Sequence, residues 1–358
     1  MYNYPTRFLL LLSHFLPARL TNRIRRRTEK KLFALKYGEK PDNLQLQPET
    51  PDKHTKKIAI KCPAPNWQKA AGWGDYHFAR ALQKSLVKIG HIVRLDILPD
   101  WYSAQSEADD IVLVLRGREK YTPSEKHINL MWNICHPDEI SMSEFNEYDH
   151  VFISSETFLS ELEKKTETPV TSLLQCSDQT IFYKTPVNAP EAKNKLLFVG
   201  NSRGELRPIV KDCLEQNLPL TLYGRDWHGI IPPDKIAGPF IPNNELHNYY
   251  ANADIVLNDH WPDMARLGYI SNRIFDIALA GGFVISDKFK GSEIFKDHII
   301  TYSTPEELSQ LCNYWINHPE ERREKSKALQ EYVLKNHTFD QRARTIHGVI
   351  QDLLPSKV

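Results

Sequence analysis

The chain has 358 residues, 41% of them hydrophobic and 25% charged, which at a typical ~150 residues per domain predicts two globular domains. A disordered tail, a disulfide-stapled miniprotein and a polytopic membrane protein are excluded, since no stretch approaches the ~18–20 apolar residues that span a bilayer. The net charge of +1, from 46 basic and 45 acidic residues, gives no reason to expect a nucleic-acid partner. Cys62, Cys135, Cys176, Cys213 and Cys312 form no CxxC pair and no zinc-like cluster with His, which points to a reducing, cytoplasmic setting with no resident metal.

The charge is unevenly spread. Residues 1–40 carry ten Lys and Arg against Glu29 and Glu39, a local excess of +8 that leaves the remainder at −7. Phe8 to Leu12 and Phe15–Leu16 form an apolar patch, and the Arg-rich stretch from Arg19 to Lys31 follows it, the reverse of a secretory signal. Two readings stand. One is an interfacial segment at the inner face of the cytoplasmic membrane, with Arg25, Arg26 and Arg27 on anionic headgroups at ~1 kcal/mol each. The other is a helix docked on the protein's own surface. Residues 41–56, with three prolines and no periodicity, read as a linker, so residues 1–55 form one N-terminal segment.

From Lys56 short apolar runs alternate with helical stretches, the pattern of parallel α/β units. Strands are predicted at 57–63, 91–98, 110–117, 128–134, 150–154 and 170–175, with helices at 74–90 and 155–165. A polar, Pro-bearing hinge at 183–195 separates this unit, residues 56–185, from a second at 194–337. The second has strands at 195–201, 218–224, 254–259 and 283–287, and helices at 207–217, 245–253, 270–282, 305–318 and 319–337. A last helical segment, 338–358, is expected to pack back towards the first domain. The predicted architecture is α/β: two Rossmann-like, doubly wound domains facing across a cleft, with ligands outside the carboxyl ends of the strands.

The loops after those strands carry the chemistry. FVGNSRGELR places Gly200, Asn201, Arg203 and Arg207 between a strand and a helix, where helix-start amides and guanidiniums suit a diphosphate; the plain alternative is an αβ turn with surface arginines. A second loop brings Asn258, Asp259 and His260 from a strand end towards Ser271, Asn272, Arg273 and Asp276 at a helix start. Asp276 reads either as a ligand-binding carboxylate or as one favoured by the helix dipole. Trp67, Trp73, Trp132, Trp227 and Trp261 are candidates for stacking on sugars or for packing.

These motifs, in this order over residues 57–354, resemble the GT-B glycosyltransferases of the group 1 superfamily, family 4-like, and their CgeB-like branch. GWGDYHFARALQKSLVKIGHIV resembles the glycine loop and helix of the first domain, ICHPDEI its strand-end His loop and LLQCSDQTIFY its last strand. FVGNSRGELRP, the NDH loop and SNRIFDIALAGGFVISD resemble the nucleotide-binding domain. The resemblance implies a nucleotide-sugar donor with Asp276 on its ribose, where the group 1 pattern has Glu. Arg203 and Arg207 fall on the diphosphate, with Gly200, Asn201 and Asn258 beside them, and the backbone of Ser271, Asn272 and Arg273 on the leaving phosphates. His136 falls on the sugar, and Gly72 and Gly74 on the glycine loop that lets donor or acceptor approach closely.

The family's acidic pair is spaced E-x7-E, and the first acid falls on Gly268. Asp259 and Asp263 are the nearby candidates to replace it. The resemblance further implies metal-independent, retaining transfer to a glycan or lipid-linked acceptor in synthesis of bacterial surface polysaccharide, capsule or lipopolysaccharide. Were the outcome inversion instead, Asp75, His77 and Asp138 are the candidate bases. No cofactor beyond the sugar nucleotide is implied. The alternatives are a sugar-nucleotide epimerase or hydrolase on the same scaffold, and a non-catalytic, membrane-associated glycan-binding protein.

Overall fold

The apolar runs of the sequence become the strands of two sheets in the computed structural model, which describes residues 18–183 and 193–354. The first sheet holds β1 (Gln45–Leu46), β2 (Lys57–Cys62), β3 (Ile92–Ile97), β4 (Ile111–Arg116), β5 (Ile128–Asn133), β6 (His150–Ile153) and β7 (Val170–Ser172). Their order is β1-β3-β2-β4-β5-β6-β7, parallel except where β1 runs against β3. Every residue of β4 and β5 is buried, as expected of parallel strands covered on both faces.

The second sheet holds β8 (Leu196–Val199), β9 (Leu220–Tyr223), β10 (Ile236–Gly238), β11 (Ile255–Asn258), β12 (Val284–Asp287) and β13 (Ile300–Tyr302). They are parallel throughout, in the order β10-β9-β8-β11-β12-β13. Chain direction across this sheet reverses between β8 and β11, so their carboxyl ends open a crevice there.

Helices of six or more residues are α1 (Ala18–Tyr37), α2 (Gly74–Lys88), α3 (Pro208–Glu215), α4 (Leu246–Asn252), α5 (Pro262–Leu267), α6 (Asn272–Leu279), α7 (Pro305–Asn317), α8 (Pro319–Asn336) and α9 (Phe339–Leu353). Phe78, Leu82 and Leu86, spaced by four along α2, share a core with Phe339, Ala343, Ile346 and Ile350 of α9. Burying each of the large side chains contributes ~1.5–3 kcal/mol. The last helix therefore packs on the first sheet, where the Arg342 guanidinium donates to the carbonyls of Leu174 (2.6 Å) and Gln175 (3.2 Å).

The domains meet at two further places. Met264 and Tyr269, at and just beyond α5, join the core of the first domain with Val114, Met131 and Phe145. The Tyr269 hydroxyl there donates to Asn133 Oδ1 at 2.6 Å. On the other side, α1 lies across both domains: Phe33 packs edge-on against Phe240 at 4.8 Å, and Arg225 sits 5.2 Å over the Phe33 ring while donating to the Gly72 carbonyl.

Three sequence expectations change. The segment 41–56 is not a bare linker, because β1 pairs within it along the edge of β3. The helix expected over 155–165 is confined to Leu159–Leu162, since the hydroxyls of Ser155 and Thr157 are drawn to the Leu267 carbonyl of the other domain at 2.6 and 3.1 Å. Of the basic N-terminal segment, residues from Ala18 to Tyr37 form a docked helix, whereas residues 1–17 with the apolar patch lie outside the described residues, as do 184–192 of the expected hinge and 355–358. Among the described residues no helix is long and apolar enough to cross a membrane.

Candidate functional site

The crevice between β8 and β11 faces the glycine loop before α2 and the end of β5 across a cavity of about 430 Å³. Its walls come from both domains. On one side stand Gly72, Trp73, Gly74, Asp75, Cys135 and Gln175; on the other Gly200, Arg203, Arg273, Asp276, Tyr250 and Trp261.

The second-domain wall is built around buried Arg207. Its Nε donates to Asp259 Oδ2 at 2.8 Å, its Nη2 to the other Asp259 oxygen, and its Nη1 to the Asn201 carbonyl at 3.1 Å. Gly200 makes room for it: a Cβ there would stand 2.7 Å from Arg207 Nη1. The expectation for Asp259 as a free catalytic acid is therefore corrected, since both its oxygens are taken by Arg207, while Arg207 itself lines the cavity.

Arg203 and Arg273 are the other two cations of this wall. Arg203, at a left-handed φ of 64°, lays its guanidinium 3.5 Å over the Trp261 ring, and among the described residues no carboxylate forms an ion pair with it. Burial against the cleft and the neighbouring Arg207 and Arg273 lower its pKa to about 9, which leaves it charged at neutral pH. Arg273 donates to Asn258 Oδ1 at 3.0 Å and lies 3.7 Å from Asp259. Asn258 itself stands behind the wall, its amide donating to Ser286.

Asp276 looks into the cavity from the second turn of α6. It accepts from the Ser177 hydroxyl and from the Asn272 side-chain amide, each at 2.7 Å. Burial outweighs those bonds and pushes its carboxyl up to about 8. Beside it, Asn272 Oδ1 is buried with no hydrogen-bond partner, which costs free energy until a donor arrives. The α6 start adds backbone amides that have no partner within the helix.

Gly268 resolves the missing first acid. Its φ is +75°, and a Cβ would fall 2.1 Å from Thr157 Oγ1 and 3.1 Å from Ser155 Oγ, so no side chain fits where the two domains touch. Asp263, whose Oδ1 accepts from the Met264 amide at the start of α5, is not among the residues that line the cavity.

In the first domain two of the three candidate bases reach the cavity. The His77 ring lines it and is bonded to the Ala71 carbonyl at 2.8 Å. Exposed Asp138 holds Arg266 through both its oxygens and does not line the cavity. Asp75, on the first turn of α2, faces the cavity with its carboxyl raised to about 6 by burial. His136 is corrected as well: at φ 53° it packs 4.9 Å from Trp261, outside the lining formed by Cys135 and Trp261. Gly72 is held by Arg225, and Gly74 has open space where a Cβ would be. Of the tryptophans, Trp132 and Trp227 are core, Trp67 packs on Tyr76, and Trp73 and Trp261 line the cavity.

Ser177, Gln175, Tyr250 and Phe240 belong to the site without having been read from sequence. Only Ser177 and Gln175 carried a signal, as polar residues at and just beyond the end of the run VTSLLQ. Among the described residues no group of three or more His, Cys, Asp or Glu side chains is arranged to hold a metal ion.

Residues 204–348 match the family model described as glycosyl transferase-like. The spore protein CgeB of Bacillus subtilis is 26% identical over 164 residues, 41% of this chain and 51% of that protein, so the chain matches about half the length of that relative. Sucrose-phosphate synthase from Thermosynechococcus elongatus superposes with a TM-score of 0.61 at 12% identity, covering 84% of this chain and 100% of that one. Anabaena HepE, solved with UDP and glucose, gives 0.56 at 12% identity over 83% of this chain and 100% of its own. The fold expected from the motifs holds, since the chain has the GT-B architecture, part of it matches a glycosyl transferase-like family model, and CgeB is a relative.

Proposed function

We propose that the chain is a glycosyltransferase that moves a sugar from a nucleoside diphosphate sugar, of the UDP-sugar type, to a glycan or lipid-linked acceptor in bacterial surface polysaccharide synthesis. The observation that carries this is the pairing of an unpartnered buried Asn272 Oδ1 with Asp276 beside the cations Arg203 and Arg273. An amide oxygen and a carboxyl group side by side accept two hydroxyl hydrogens, which is the demand of a ribose; two guanidiniums and a helix start meet the adjacent diphosphate. HepE, on the same fold and solved with UDP and with UDP-glucose, supports a sugar nucleotide as the ligand class.

Transfer forms a bond from an acceptor hydroxyl to the anomeric carbon as that carbon's bond to the β-phosphate oxygen breaks. Positive charge fixed in advance stabilises the leaving diphosphate without a metal, and Arg203, Arg273 and the α6 amides supply it. In a retaining course the acceptor proton passes to the departing phosphate oxygen on the same face. Asp75, in the opposite wall, holds the acceptor hydroxyl in place. The basic residues within 1–40 keep the cleft at the cytoplasmic membrane surface, where such acceptors are made.

The test is donor turnover. Purified protein, a panel of UDP-sugars and a membrane glycolipid extract should release UDP only when the extract is present, and Arg203→Ala should lose that release. Release of UDP that is independent of acceptor would assign a hydrolase, and turnover unchanged in Arg203→Ala would remove the phosphate assignment.

A further inference from the structure

The start of α6 is held by a chain of hydrogen bonds that begins outside the cavity. Asp287, at the end of β12, accepts twice from His260: from its backbone amide at 2.9 Å and from ring Nδ1 at 2.6 Å. The Ser286 hydroxyl donates to the same carboxylate at 2.9 Å. Burial alone would raise the Asp287 carboxyl, and the bonds from His260 hold it below its ordinary range. The other ring nitrogen, Nε2, faces the Ser271 backbone amide at 3.1 Å.

A backbone N–H can only donate, so Nε2 accepts and the ring proton sits on Nδ1, towards Asp287. The His260 ring is fully enclosed, 4.3 Å from the Phe289 ring, and has no freedom to turn. Ser271 is the residue before the first turn of α6, and its own hydroxyl caps nothing.

We infer that His260 is a positioning residue: with its tautomer set by Asp287, it fixes the Ser271 amide and so aims the start of α6 at the donor diphosphate. The inference rests on the sugar-nucleotide reading for the identity of the ligand, but not for the tautomer. The chain of bonds joins the ends of β11 and β12, which are fixed by the sheet, to the loop 268–271, which Tyr269 ties to the first domain and Ile270 to the core of the second. Without it, the Ser271 amide would lose the side chain that holds it at the start of α6.

Two substitutions separate the two ends of the ring. His260→Gln places a side-chain oxygen near the position of Nε2 and can still accept from Ser271; His260→Asn can reach Asp287 but not Ser271. With UDP and uridine as probes, the inference predicts that His260→Asn weakens UDP at least about tenfold and leaves uridine within about twofold, while His260→Gln recovers most of the UDP affinity. Equal losses for UDP and uridine in both variants, with unchanged thermal midpoints, would overturn it, because that is the mark of general loosening. Nitrogen NMR of the wild-type ring is an independent check: a protonated Nδ1 and a bare Nε2 are expected, and the opposite tautomer would overturn the inference whether or not UDP binds. Failure of wild-type protein to bind UDP at all, with the expected tautomer present, would count against the ligand reading instead.

Discussion

At the scale of single residues the site sets carboxylates apart by their surroundings. Asp259 is spent on Arg207, whereas Asp276 has only a hydroxyl and an amide and is raised to about 8. A carboxyl raised in the folded state stabilises fully below its unfolded pKa, near the ordinary 3.8, and loses that contribution as pH climbs towards about 8. Asp276→Asn should therefore gain stability relative to the wild type between those two values and change little above them; thermal midpoints across that range are the check, and a parallel pair of curves would contradict it. Arg203→Ala should weaken UDP roughly 10- to 100-fold, the loss of one charge-assisted contact. Restoring the family's acid with Gly268→Glu should cost about 2–5 kcal/mol, since it combines a left-handed φ with a clash at Thr157. The sequence showed that the acid was missing; the reason, a contact between domains 110 residues apart in the chain, is visible only in the fold.

At the scale of elements, legibility followed length and burial. The fully buried, mostly apolar β4 and β5 and the four-spaced face of α2 could be read directly, while β10 and β13, three residues each, lacked any period to detect. Helix α9 has a capping box at Thr338 and Gln341 and a clear apolar face, yet which domain it joins depends on Phe78 and Leu86. Ile346→Ala should cost about 2–5 kcal/mol as a cavity in that shared core. Helix α1 bears on both readings made from sequence, docking and membrane contact, of which the fold shows the first. Phe33 fixes one face across the domains, and on the other Leu32 and Leu35 stand 37% and 72% exposed among Arg27, Lys31 and Lys36. Leu32→Asp with Leu35→Asp should reduce flotation of the full chain with phosphatidylglycerol vesicles while leaving its UDP response intact; unchanged flotation would take α1 out of membrane contact.

At the scale of the molecule, the cleft exists because two independent sheets are held face to face at three places: α9, the α5 contact with the first domain, and α1. The site residues read from strand-end loops were largely brought to one cavity, since doubly wound sheets gather their loops at the carboxyl edge. What the sequence withheld were pairings across the cleft, such as Ser177 with Asp276 and Arg225 with Gly72, which depend on how the domains sit. The central claim is that this cavity binds a nucleoside diphosphate through Asp276 and the cations beside it. Titration calorimetry of UDP into wild-type protein and Asp276→Ala tests it most directly. The account predicts one site per chain in the wild type and at least tenfold weaker binding in a folded Asp276→Ala; equal affinity in the two proteins would contradict it.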